Sequence, residues 1–154
     1  MAVIGRPWRL EGVAGLIFTS DARYLMQLRD DNPQIHMPNN WALFGGHVET
    51  GEDDAEALRR ELMEELGLRA RTIRPFLETA YEIPGAGFGP IRKGFFEVPF
   101  DASEMTSLVL REGQQMRLLT YAEIRAMSNV VPWDEFAVHA HARRAEVARL
   151  PRQG

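Results

Sequence analysis

The chain has no cysteine, a single lysine (Lys93) and no apolar run approaching the length that crosses a bilayer. Without cysteine there are no disulfides, no thiolate nucleophile and no thiolate metal centre, which fits a cytoplasmic protein. The four histidines (His36, His47, His139, His141) are scattered, and His139 and His141 stand two apart, too close on a helix to share a face. A nitrogen- and sulfur-ligated zinc site is therefore not expected. Residues 1–9 lack an apolar core for a signal peptide, so neither secretion nor membrane association is expected. A net charge of −4 gives no general attraction to nucleic acid polymers. A small anionic substrate would need a metal ion and a few local arginines. With 154 residues, 45% of them hydrophobic, and no repeat or low-complexity tract, the expectation is one well-buried domain spanning 1–154.

What is present concentrates in GHVETGEDDAEALRRELMEELGL, Gly46 to Leu68. A helix is expected from near Asp53, because Glu52, Asp53 and Asp54 put negative charge where the macrodipole favours it, and Gly67 supplies a left-handed stop. Ala55, Leu58, Leu62 and Leu66 then form an apolar stripe, with Glu61, Glu64 and Glu65 on the adjoining arc. Three carboxylates so placed repel one another, by up to roughly 3 kcal/mol per pair at about 5 Å and an effective dielectric near 20. They form either a solvated acidic face or a site for a divalent cation. Hard oxygen donors favour Mg2+ or Mn2+. Gly45 and Gly46, just ahead, form either a plain tight turn or a place where backbone approaches a ligand closely.

The full spacing is Gly46, five residues, Glu52, seven residues, Arg60-Glu61-Leu62, one residue, Glu64-Glu65, one residue, Gly67-Leu68. It is similar to the Nudix box at every fixed position, a coincidence expected about once in 10^8 starting points at ordinary residue frequencies. The chain thus resembles the Nudix hydrolases. The resemblance implies that Glu61, Glu64 and Glu65 carry metal binding and catalysis, that the Gly46 carbonyl is a metal ligand, and that Glu52 and Arg60 brace the loop containing Gly45 against the helix. Many relatives have proline before the two glycines, where this chain has Phe44.

Along the rest of the chain, residues 12–30 read as a hairpin turning at Ser20 to Ala22, and Trp41 to Phe44 as a short strand. Residues 69–83 and 91–100 read as a second hairpin with a glycine-rich tip, and QMRLLT as a last strand. Thr120 and Glu123 form a capping box for a helix near 121–127, and 133–150 reads as a terminal helix. This order resembles the Nudix fold, an α/β class in which a mixed sheet lies between helices as an α/β/α sandwich.

Outside the box, Glu112 precedes the last strand in an EGQ segment. In MutT-like relatives a glutamate there approaches the metal or acts as general base; the alternative is a solvated loop residue. YEIPG at Tyr81 to Gly85 also resembles the MutT pattern. Trp41, Tyr81, Phe88 and Trp133 are candidates for stacking on a base and Arg29 for a phosphate, against the commoner fates of core packing and solvated surface. The resemblance implies cleavage of a pyrophosphate bond in a nucleoside diphosphate-linked compound, first a nucleoside triphosphate, oxidised or not, giving the monophosphate, and next ADP-ribose or a nucleotide sugar. A homodimer is compatible with the family. A sensing module without turnover would not need Glu61, Glu64 and Glu65 together, and the isoprenoid diphosphate isomerases of this fold use a cysteine that this chain lacks.

Overall fold

The computed structural model describes residues 10–85, 87 and 89–147. Its strands are β1 Leu10–Phe18, β2 Arg23–Leu28, β3 Trp41–Ala42, β4 Phe44–His47, β5 Arg74–Tyr81, β6 Ile91–Pro99 and β7 Gln115–Thr120. The helices are α1 Asp54–Leu66, α2 Tyr121–Ala126, α3 Pro132–Ala142 and α4 Arg144–Val147. One mixed sheet runs β3-β2-β1-β6-β5, with β4 also on β1 and β7 on β2.

β1 explains the layering. From Val13 onward its sequence is apolar without alternation because both faces are covered, as central strands with a parallel neighbour usually are. Val13 and Ile17 pack in one core with Leu58, Leu62 and Leu66 of α1. Ala14 and Leu16 pack in a second core with Ile124 of α2 and Ala137 and Val138 of α3. β6 lies parallel to β1, Leu10 opposite Ile91 through Phe18 opposite Pro99, and β5 folds back antiparallel on β6. The expected sandwich of a mixed sheet between helices is what forms.

α1 begins and ends where its sequence requires. The Asp53 side chain accepts a bond from the Glu56 N–H while the Glu56 side chain accepts one from the Asp53 N–H, a complete capping box. Gly67, at φ 66°, closes the other end in the left-handed region. Phe44 is fully buried against this helix, a reason for an apolar ring in place of the proline of many relatives.

Two expectations need correction. Trp41 to Phe44 is not one strand: β3 pairs with β2, β4 pairs with β1, and the chain changes partner at Leu43, whose N–H donates to an Asp134 carboxylate oxygen at 2.9 Å instead of joining a ladder. The terminal helix breaks at Arg143 into α3 and α4, starting one residue early because Pro132 suits the first helical turn; residues 148–150 of the expected helix lie outside the described residues. A short 3-10 helix, Ala102–Ser107, went unforeseen although Asp101 caps it through the Ser103 N–H. The 12–30 hairpin does form, but β1 and β2 splay beyond Phe18 and Tyr24, and the β3–β4 segment passes into the opening.

Candidate active site

The opening between β1 and β2 is where the box residues gather. Gly45 has φ 155°, and a Cβ there would lie 2.0 Å from the Val13 carbonyl oxygen, so only glycine lets β4 approach β1 this closely. A Cβ on Gly46 would fall 2.4–2.7 Å from the Glu61 carboxyl group. The paired glycines therefore bring bare backbone against the acidic arc of α1.

Arg60 organises that arc. Its Nε and Nη2 donate to both oxygens of Glu52, at 2.6 and 3.0 Å, its Nη1 donates to Glu61 at 2.8 Å and Glu64 at 3.3 Å, and Nη2 also reaches the His47 carbonyl at 3.0 Å. These bonds tie α1 to the loop leaving β4. The guanidinium holds the Glu52 carboxyl below the usual carboxylate range, and Glu52 and Glu61 in turn raise Arg60. Arg60→Ala should lower turnover by about 10- to 100-fold and stability by about 1–3 kcal/mol together, read from steady-state kinetics and a thermal melt. A fall in rate with unchanged melting temperature and metal affinity would mean that Arg60 touches substrate instead.

Glu65 differs from its neighbours. It is buried, accepts from the Gly45 N–H at 3.2 Å, and has its pKa pushed up to about 8 by burial first and then by the charges of Glu112 and Glu61, with Arg29 opposing. Glu112 itself is exposed, but its loop is docked on the C-terminal end of α1. The amides of Val109 and Arg111 donate to the carbonyls of Leu66 and Glu65, and the Arg111 guanidinium donates to those of Met63 and Glu64. On the other side the Gln114 side chain holds the Arg29 carbonyl and Asn39. This clasp, which the sequence did not disclose, is what places Glu112 near Glu65.

Among the described residues no three acidic side chains converge at metal-ligating distance, since Glu61 and Glu64 turn to Arg60 and Glu65 turns to Gly45. The chemistry of the donors nevertheless fits a hard divalent cation. The candidate donor atoms are all oxygen, and the raised pKa of Glu65 owes first to burial and then to the like charges of Glu112 and Glu61, which a cation would offset.

A cleft of about 210 Å³ starts at Gly45 and Gly46 and is lined further on by Arg29, His36, Tyr81, Lys93, Trp133 and Asp134. Trp133 stacks on Tyr81, with centroids 4.7 Å apart and planes at 18°, and on His36, at 5.5 Å and 9°. Burial and the Asp134 charge push the Tyr81 phenol up. Of the aromatic candidates, Tyr81 and Trp133 thus meet in the cleft. Trp41 is core, 6% exposed with the Arg117 guanidinium 6.0 Å over its ring, and Phe88 lies outside the described residues. Arg29 lines the cleft and donates to the His36 carbonyl at 3.0 Å. Two residues were missed. Asp134 is 1% exposed and accepts from Leu43 N–H at 2.9 Å and from Lys93 Nζ at 2.8 Å. Lys93 could have been found as the only lysine of the chain; nothing in the local pattern singled out Asp134.

Comparison with known proteins bears on the family and the fold. A NUDIX domain model matches residues 8–150. Nucleoside triphosphatase NudI from Escherichia coli is 49% identical over 55 residues, 36% of this chain and only 38% of that relative's length. A MutT protein from Methanosarcina mazei Go1 superposes with a TM-score of 0.76 at 18% identity, covering 92% of this chain and 99% of that one. The NUDIX domain of Shewanella oneidensis NrtR, in complex with ADP ribose, superposes at 0.71 with 15% identity, covering 92% and 90%. At these identities the two structures speak to fold alone. Proteins of this kind generally use divalent metal ions. No helix among the described residues is long and apolar enough to cross a membrane. The match over nearly the whole chain, together with an intact box built into the expected loop and helix, establishes that the chain belongs to the Nudix hydrolase family.

Proposed function

We propose that the chain is a one-domain, cytoplasmic, Mg2+- or Mn2+-dependent pyrophosphohydrolase of nucleoside triphosphates. The observation that carries this reading is the cleft itself, which runs from Gly45 and Gly46, the glycines that Glu65 and Glu61 pack against, to an aromatic wall of Tyr81 and Trp133. One end suits a polyphosphate and the other a base. The local similarity to a nucleoside triphosphatase supports the same choice.

Glu61, Glu64, Glu65 and the Gly46 carbonyl are the groups that would hold the cation, which when bound neutralises phosphate charge and acidifies water. Arg29 meets the phosphates from the end of β2, Tyr81 and Trp133 hold the base, and Glu52, Arg60 and Gly45 keep loop and helix in register. Glu112 accepts the proton of the attacking water. The water oxygen forms a bond to phosphorus, the anhydride P–O bond breaks, and the triphosphate and water give nucleoside monophosphate and pyrophosphate.

A release assay over nucleoside triphosphates, ADP-ribose, nucleotide sugars and dinucleoside polyphosphates with Mg2+ or Mn2+ tests the substrate class. Triphosphates should be the best substrates, and faster turnover of ADP-ribose would overturn the choice. Glu112→Gln should lower kcat and kcat/KM alike, by about 10^2-fold or more, with little change in the metal concentration for half-maximal rate. Wild-type kinetics in that variant would return the proton transfer to the helix glutamates.

A further inference from the structure

The only lysine of the chain stands in the wall of the cleft, and its surroundings are specific. Lys93 projects from β6 with its side chain 16% exposed, its ammonium 2.8 Å from Asp134 Oδ1 and 5.3 Å from the centre of the Phe95 ring. Asp134 is fixed in turn. Its other oxygen accepts the Leu43 N–H at the point where β3 gives way to β4, and it follows directly on Trp133, which forms the aromatic wall. Both carboxylate oxygens are thus engaged. Among the described residues, Asp134 is the one hydrogen-bond acceptor of Lys93, and an ammonium carries three donors.

We infer that Lys93, held by Asp134 beside Trp133, is a specificity-determining residue that selects bases with a carbonyl at the ring edge, guanine, uracil or thymine, over adenine and cytosine, which carry an amino group there. The inference rests on the nucleotide reading of the cleft. The pair is neutral as a whole, so it contributes directed donors more than net attraction for phosphate, and it lines the same cleft as Tyr81 and Trp133. At the position where these bases differ, a carbonyl oxygen accepts from an ammonium, whereas an exocyclic amino group is itself a donor and does not. Lys93 is the group that touches the base, and Asp134 is a positioning residue acting through it.

The test is calorimetric binding of GMP, UMP, AMP and CMP in the presence of chelator, so that it depends neither on metal nor on turnover. Wild-type protein should bind GMP more tightly than AMP, and UMP more tightly than CMP, by about 10- to 100-fold. Lys93→Met should bring both ratios close to one by weakening GMP and UMP alone. Because that variant leaves Asp134 buried without its cation, Lys93→Met with Asp134→Asn gives a second route, keeping an acceptor for Leu43 and removing the lone charge. It should lose the ratios in the same way. Equal wild-type affinities, no binding of any of the four, ratios that survive in both variants, or uniform weakening of all four would each overturn the inference, the last by making Lys93 a phosphate contact. Failure of the hydrolase reading would look different: the binding preference would stand while no triphosphate was turned over with Mg2+ or Mn2+.

Discussion

Glu65→Gln should lower turnover by three orders of magnitude or so and yet stabilise the metal-free protein at alkaline pH. Both effects come from the same buried carboxyl. In the fold it holds its proton up to about pH 8, whereas in the unfolded chain it ionises near its ordinary value of 4.5. Between those two values the folded state binds more protons than the unfolded one, so stability falls as pH rises through that window, by an upper bound of about 5 kcal/mol. Glutamine keeps the acceptor for the Gly45 N–H and cannot ionise. In chelator, melting temperatures of the two proteins should be close at pH 5 and should diverge in favour of the variant up to pH 8.5. Other carboxylates, such as Glu52 and Asp101, are common to both proteins and cancel in the difference. A variant with full activity, or a melting difference that does not change with pH, would contradict this role for Glu65.

Gly45→Ala should be the most damaging substitution of backbone origin. The methyl group would have to occupy space 2.0 Å from the Val13 carbonyl oxygen and 2.7 Å from the Ala14 Cα, at a φ that L-residues rarely adopt. Neither neighbour is a side chain that can swing away. β4 would have to separate from β1, carrying with it Gly46 and the amide that Glu65 uses. The expected cost is at least about 4 kcal/mol, a fall in melting temperature of roughly 8–16 °C, with loss of activity. A loss within about 1 kcal/mol would show that β4 can reposition freely. The site would then not depend on that close approach.

The parts of the molecule that were legible in the sequence are those specified by local rules. Asp53, Gly67 and the Leu58–Leu62–Leu66 stripe define α1 within a few residues of one another, and the structure has that helix where they put it. The box spacing marked the Arg60–Glu52 contact, an interaction across eight residues that appears as a bidentate pair. What was not legible depends on distant segments. The strand change at Leu43 rests on Asp134, ninety-one residues away, and no periodicity in Trp41 to Phe44 announces it. The place of Glu112 depends on Arg111 and Val109 docking on the end of α1, which a loop sequence does not reveal. Trp41 and Trp133 look alike as lone tryptophans. Only the fold sends one into the core and the other to the cleft.

The measurement that tests the central claim most directly is product analysis of a nucleoside triphosphate reaction, with and without chelator. The account predicts nucleoside monophosphate and pyrophosphate in equal amounts, formed only when a divalent ion is supplied and lost in the Glu65→Gln protein. Nucleoside diphosphate with orthophosphate, or product formation undiminished by excess chelator, would contradict it.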